Sequence, residues 1–592
     1  MMVGVLLRKK SRRARACSAL VPVFLLTGAL DAAAQNAAAP PPPAAPPPAV
    51  APGQNTMITL IQQLVQEGVL TQERAQALIN QARDEAATAA RGAPAVAPAA
   101  ATPSTSVRVP YIPQIVKNQI RDEVKESVLQ EAREQNWAQP NQVPEWTRRF
   151  HLNGDFRLRY EWNIFDSRNS SATGCPTANP CSPFPNFAVL NAGPPFDLAN
   201  AAGTPPAILN TTEDRQRMRI RLRLGMNVDV ADGLVAGIRL ATGNTTNPVT
   251  TNQTLGTTLN KQNFLLDRAF LDYHPADWIE LWVGRFANPW LSTEMVWDDD
   301  INFDGVAGRF RANLTDNFSL SATGGAFPIE NTAFNFPDNT VTKVPSRDKW
   351  LFAGQLGMDF QPARNFDFKL AAAYFHYQNV QGALSAPCVA NSSADPCSTD
   401  NSRPGFQQTG NTSFAIRNLV SNAANPPLFQ YYGLSSAFHD LDITARLDYA
   451  IGSIHAVVDG DVVKNLAFSR NRILGTTPLN NIDPTINGVA GAWDGGSLGY
   501  HVRLTVGYPE IHERWQWNTS FGYRHIDSDA TPDAFNDSDF HEGGTNAKGY
   551  VVSTSIGIAH NTDLTAKWLS ASEVTGLPYT VDVVQVDLNA RF

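Results

Sequence analysis

The chain has 592 residues, 43% of them hydrophobic, with a formal net charge of −8 and a mean hydropathy of −0.24. No run of about 18 apolar residues occurs, which excludes a conventional transmembrane helix, and the negative charge argues against nucleic acid as a partner. It carries no GxSxG, HExxH, P-loop or zinc-ligand motif, and its ten histidines are scattered, so we expect neither an enzyme nor a bound metal or cofactor.

The chain opens like an export signal. Arg8, Lys9, Lys10, Arg12, Arg13 and Arg15 form a basic stretch, Ala16 to Leu30 an apolar one, and Ala32-Ala33-Ala34 a small-residue cleavage site, so residues 1–34 read as a signal peptide. Cys17 begins the apolar stretch instead of following it, which excludes a lipoprotein anchor. Residues 35–56 are a Pro/Ala-rich linker with too little apolar surface for a core.

Residues 57–90 read as a helical hairpin. Leu60, Ile61, Leu64 and Val65 line its first helix, Gly68 ends it, and Thr71 caps the second, with Ala75, Leu78 and Ile79. After a second Ala/Pro linker at 91–107, residues 108–138 form an amphipathic helix. Its stripe of Ile112, Ile115, Val116, Ile120, Val124, Val128 and Leu129 is narrow enough for a short coiled coil.

From 149 to 592 the apolar period is two. Phe150, Leu152, Phe156, Leu158, Tyr160 and Trp162 alternate with Arg149, His151, Asn153, Asp155, Arg157, Arg159 and Glu161. Met218, Ile220, Leu222, Leu224 and Met226 alternate with Arg215, Arg217, Arg219, Arg221 and Arg223. Such runs exceed the roughly 9 to 11 residues a tilted membrane strand needs.

About 16 such segments can be counted, joined alternately by short turns and long loops, as in outer-membrane barrels whose turns face the periplasm. The fold class is therefore all-β: a transmembrane antiparallel β-barrel of about 16 strands, preceded by short periplasmic α-helical segments. Short turns fall at 231–233, 275–277, 314–316, 362–364, 451–452, 510–513 and 560–562. Long loops cover 164–214, 244–262, 288–303, 327–348, 379–435, 466–496, 527–546 and 571–579. Cys175 and Cys181 lie close together in one of the two longest loops, and Cys388 and Cys397 in the other. Local disulfides are expected within each pair; zinc binding is the competing reading. The last strand places Val584, Val586, Leu588, Ala590 and Phe592 outward. A terminal Phe592 in this pattern resembles the signal that barrels present to the barrel assembly machinery.

The segments "LVQEGVLTQERAQALI", "VRVPYIPQIVKNQIRDEVKESVLQEAREQNWAQPNQVPEW", "LNGDFRLRYEW" and "DRAFLDYHPADWIELWVGRFANPW", with the terminal Phe, resemble the bacterial "putative porin" family over nearly the whole mature chain. That family is similar in plan to the phosphate-selective and general trimeric porins. The resemblance implies a water-filled channel in the bacterial outer membrane for passive diffusion of small hydrophilic solutes. It also implies contact with lipid and lipopolysaccharide, and a homotrimer. A tethering barrel whose helices bind peptidoglycan or trimerise, and a channel selective for anions or sugars, are the alternatives.

A pore discriminates only where charge is arranged around a narrow place. The basic row Arg215, Arg217, Arg219, Arg221 and Arg223, with Arg157 and Arg159 beside it, is one candidate wall. In porins of similar plan the third loop folds into the barrel. Here that implies that the 287–304 loop brings Glu294, Asp298, Asp299, Asp300 and Asp304 opposite the arginines, a Ca²⁺ site or a plain solvated loop being the alternatives. The aromatics Tyr160, Trp162, Trp350, Tyr449, Tyr508, Trp515, Trp517, Tyr523 and Trp568 are expected in the interfacial girdles.

Overall fold

A computed structural model describes residues 145–169, 184–198, 206–420, 428–483 and 491–592. The expected signal peptide, linkers, helical hairpin and amphipathic helix, read from the sequence at 1–138, lie outside these residues. So do Cys175 and Cys181, and with them the first of the two expected disulfides.

Sixteen long strands carry the fold. In chain order they are β1 (Phe150–Phe165), β2 (Arg215–Ala231), β3 (Leu234–Thr242), β4 (Phe264–Ala276), β5 (Ile279–Ala287), β6 (Asn302–Thr315), β7 (Phe318–Glu330) and β8 (Lys349–Ala363). They continue with β9 (Phe366–Gln378), β10 (His439–Ile451), β11 (Ile454–Asn465), β12 (Leu498–Gly507), β13 (Trp517–Ile526), β14 (Ala547–Ala559), β15 (Thr562–Glu573) and β16 (Thr580–Arg591). Each pairs antiparallel with its sequence neighbours, and a two-residue segment, Gln253–Thr254, adds to β2. The sheet closes because β1 pairs with β2 on one side, from Phe150↔Val228 to Asn163↔Arg215. On the other it pairs with β16, from Asp155↔Arg591 to Phe165↔Val581. Closure leaves no strand edge, so every ladder hydrogen bond is made within the chain. Phe592 completes it: its backbone exchanges hydrogen bonds with Gly154 at 2.8 and 3.0 Å, and a Cβ on Gly154 would meet its ring at 2.5 Å.

The turns on one rim are short. Asp232-Gly233 joins β2 to β3, with Gly233 at φ +69°, and Asn561 at φ +50° helps join β14 to β15. Such left-handed positions suit Gly and Asn, and they tighten a hairpin. The turn expected at 510–513 is longer, covering 508–516, because Gln516 side-chain bonds to His512 and Glu513 fold it on itself. Every connection on the other rim is longer than its counterpart two-residue turns, and the two rims alternate without a break along the chain.

The usual partition of a globular protein is reversed. Leu152 is 77% and Leu356 70% exposed on the outside, whereas Glu161 and Gln585 on the inner face are 1% and 0% exposed. Outward apolar side chains want hydrocarbon as solvent, and the polar inner face wants water or partners. Aromatic side chains collect at the strand ends. Trp278, Tyr449, Trp515 and Trp517 are exposed at the short-turn rim, and Tyr160, Tyr500, Tyr550 and Trp568 lie nearer the other. Among the described residues no helix is long and apolar enough to cross a membrane; the strands are the spanning elements.

Candidate functional site: a charged constriction inside the barrel

The β5–β6 connection, residues 288–301, runs inside the barrel. Its apolar side chains dock it to the wall: the Trp290 ring lies 5.6 Å from Phe375 of β9 and 5.9 Å from Phe327 of β7. The Trp297 ring lies 4.8 Å from Phe303 of β6. Met295, Val296 and both tryptophans are buried there. Gln355 of β8 both donates to and accepts from the Leu291 backbone, at 2.8 and 2.9 Å. Burial of two tryptophans and a bidentate amide bond holds the loop much as a core segment is held.

The loop's acids then reach two separate walls. Asp300 accepts from Arg223 of β2 at 3.2 Å and lies 3.8 Å from Arg221. Thr251 donates its backbone N–H and its hydroxyl to the same carboxylate, each at 3.0 Å. Glu294 points elsewhere, to Arg503 of β12 at 2.7 Å and Arg524 of β13 at 3.3 Å. Arg503 in turn grips Asp459 of β11 at 2.8 Å.

This arrangement corrects the expectation that the whole arginine row faces the whole acidic loop. Arg217 and Arg219 pair instead with Glu161 on β1, at 2.6 and 3.3 Å, and Arg215 is exposed and donates to the Asp214 carbonyl. Asp155, also on β1, takes Arg221 at 2.8 Å and Arg223 at 2.6 Å. Arg159 forms a bidentate pair with Asp587 of β16 at 2.8 and 2.9 Å, and Arg157 donates to Asn589 at 3.0 Å. The physical reason is register: Arg223 sits directly across from Asp155 and Arg217 from Glu161. Paired cross-strand neighbours need no long loop to neutralise them.

The remaining loop acids also diverge. Asp304 is the third residue of β6 and pairs with Arg285 at 3.0 Å. Asp298 accepts the backbone N–H groups of Asp300 at 2.8 Å and Ser538 at 2.9 Å. Asp299 is the member of the run open to solvent. The protein crowded around it, and then the charges of Glu294, Asp537 and Asp300, push its carboxyl up to about 6. Each carboxylate of 298–300 has its own surroundings, which does not favour a shared cation.

Sequence reasoning missed a second inward segment, 527–546. It meets the first through Asp298 N–H to the Phe535 carbonyl at 2.8 Å and Asp537 N–H to the Glu294 carbonyl at 3.0 Å. Its Asp539 holds Arg159 at 2.8 Å and its Asp537 holds Arg524 at 3.0 Å. The signal was present: Asp527, Asp529, Asp533, Asp537, Asp539 and Glu542 make this loop as acidic as 288–303.

Of the two disulfides expected, one falls among the described residues. Cys388 and Cys397 are joined within the β9–β10 connection, across a nine-residue separation. The pairing of Cys175 with Cys181 stays an expectation from their spacing, because both residues lie outside the described segments.

Two cavities flank the contact of Arg221 and Arg223 with Asp300. One, of about 630 Å³, lies toward the short turns and is lined by Asp155, Arg157, Arg221, Arg223, Asp563 and Arg591. The other, of about 710 Å³, lies toward the long loops, with Asp267, Arg285, Asp300, Asp304, Glu330 and Lys349 in its lining. Arginines of the contact line the first and its carboxylate lines the second, so the ion pair stands between them.

No curated protein matches the chain. Among solved structures, it is similar to the outer-membrane channel DcaP of Acinetobacter baumannii at 10% identity and a TM-score of 0.36, covering 75% of this chain and 97% of that one. It is also similar to OprB of Pseudomonas putida at 10% identity and a TM-score of 0.38, covering 75% and 94%. Salmonella typhi OmpF, in complex with daunomycin, gives 9% and 0.34, covering 75% and 97%. The family model described as "Putative porin" matches residues 54–592. The chain belongs to that family, and is a β-barrel channel of the outer membrane for passive diffusion.

Proposed function

We propose that small hydrophilic solutes and ions pass a constriction whose two sides are Arg221 and Arg223 of β2 and Asp300 of the 288–301 loop. The observation that carries this is the position of that contact between two cavities with charged side chains in their linings, one toward each rim. Opposed fixed charges set a transverse field there. A dipolar solute aligns in it, and ions of either sign follow the wall of opposite charge. On this reading the long loops face the outside and the short turns the periplasm. Residues 1–34 direct export, Phe592 is read by the barrel assembly machinery, and the barrel sits in lipid and lipopolysaccharide, with a homotrimer as its assembly.

Reversal potentials in a planar bilayer under a KCl gradient test it. Arg221→Gln with Arg223→Gln should move selectivity toward cations, and Asp300→Asn toward anions. Both shifts should shrink between about 0.1 M and about 1 M salt, as the Debye length falls from about 10 Å to about 3 Å. If neither variant moves the potential at low salt, the constriction lies elsewhere.

A further inference from the structure

Three side chains at the short-turn rim take no part in the constriction. Asp272 and His274 lie on β4 and Glu280 on β5, beside the hairpin turn that joins these strands. Leu271, Tyr273, Leu281 and Val283 are exposed on the outer face, so the alternating Asp272, His274 and Glu280 face the lumen. A bulge between Tyr273 and Ala276 shifts the register and brings His274 beside Glu280.

His274 Nε2 lies 3.0 Å from Asp272 Oδ1 and 3.8 Å from Glu280 Oε1, and the three donor atoms fall within 4.8 Å of one another. Asp272 Oδ1 is nevertheless buried with no hydrogen-bond partner. The short approach of imidazole nitrogen and carboxylate oxygen is therefore not a hydrogen bond that explains itself. It has the spacing of two ligands on one ion: donors about 2.1 Å from a tetrahedral centre stand about 3.4 Å apart, and 3.0 and 3.8 Å bracket that value.

The surroundings order one of the three side chains. Glu280 gives its other oxygen, Oε2, to Arg309 at 3.4 Å, and Arg309 lies over the Trp282 ring at 5.1 Å. The arginine thus fixes the carboxylate and leaves Oε1 turned toward the histidine, the kind of outer-shell support that metal ligands receive. The His274 side chain is 46% exposed, which leaves room for water to complete the coordination.

We propose that Asp272, His274 and Glu280 form a binding site for a divalent transition-metal ion at the short-turn mouth of the pore. One imidazole and two carboxylates suit Zn²⁺ and its neighbours in the series better than Ca²⁺ or Mg²⁺, which prefer all-oxygen sets.

Calorimetric titration of the detergent-folded, metal-stripped full chain with Zn²⁺ tests this. The expected result is one saturable equivalent per chain, with affinity at least 10-fold weaker in His274→Ala and in Asp272→Asn. His376 and His439 face each other on the opposite rim with ring centroids 4.4 Å apart, so His376→Ala controls for a competing histidine pair and should leave the titration unchanged. Circular dichroism and heat-modifiability on gels establish that each variant is a folded barrel. Where His274→Ala does not fold, the conservative Glu280→Gln takes its place and should weaken binding by the same order. The proposal is overturned by no saturable uptake in the folded parent up to about 1 mM Zn²⁺, an affinity too weak for a built site. It is equally overturned by uptake that survives His274→Ala, or that vanishes with His376→Ala alone. The titration does not depend on conduction, so its failure leaves the channel reading untouched.

Discussion

Asp299 and Asp300 are neighbours in sequence but differ in every physical respect. Asp300 is buried between two arginines and two Thr251 donors, and the Arg221 and Arg223 charges hold it ionised, below the usual carboxylate range. Asp299 is open to the lumen and carries an elevated pKa of about 6, caused by the protein massed around it and by three neighbouring carboxylates. Its charge therefore appears as pH rises through about 6, while that of Asp300 is constant over the same range. The lumen should become more cation-selective between about pH 5 and about pH 7, and Asp299→Asn should flatten that response. Linkage has the opposite sense: a raised carboxyl pKa means the folded loop holds its proton more tightly, so its docking weakens as pH rises from the ordinary carboxylate range through about 6. Reversal potentials at the two pH values decide the first point, and an equal slope in parent and variant would remove Asp299 from the account. Composition alone marked 298–300 as acidic. It did not separate the three residues, because which carboxylate meets an arginine depends on how the loop turns after Trp297.

At the scale of single elements, the 288–301 loop behaves as a second core inside a hollow sheet. Trp297 touches Phe303, Phe375 and Phe535, at ring distances of 4.8, 5.4 and 5.5 Å, and so joins the loop, the wall and the second inward segment. Replacing it with Ala should cost the docked loop about 3–5 kcal/mol while the strand ladders stay intact. Single-channel recordings should show a larger and noisier conductance; an unchanged conductance in a folded Trp297→Ala barrel would mean the loop does not limit flow. The strands themselves were legible to within a few residues, because alternation and turn residues are local signals. The β5–β6 loop was also legible as acidic and third among the long connections. What escaped was the partner of each charge: Glu161 and Asp155 sit on β1 in plain sight, yet only the β1–β2 register assigns Glu161 to Arg217 and Arg219 and Asp155 to Arg221 and Arg223. Register across the 166–214 connection is set by tertiary closure, which no local pattern records.

For the molecule as a whole, the reversed partition of apolar and polar surface fixes what solvent each side requires, and the two rims fix a direction. A barrel inserted from the periplasm drags one set of connections through the bilayer and leaves the other behind. Two-residue turns such as Asp232-Gly233 and Gly452-Ser453 are built to be left behind and carry no apparatus of their own. The opposite rim bears the disulfide of Cys388 and Cys397, together with the loops whose inner reaches supply Asp300, Glu294 and Asp539. A disulfide persists on either side, because the periplasm is oxidising too, so the direction rests on the asymmetry of the connections. Long connections should therefore face the outside. Single cysteines at Val341 and Ser393 in the long loops, and at Asp316 and Ser453 in the short turns, place an exposed reporter on each rim. A membrane-impermeant maleimide applied to intact cells should label the first two above the level of the parent chain, whose native cysteines set the background. It should label the second two only after the outer membrane is opened. Labelling of Asp316→Cys or Ser453→Cys on intact cells would invert the barrel, and with it the assignment of the cavity lined by Asp155 and Arg223 to the periplasmic mouth.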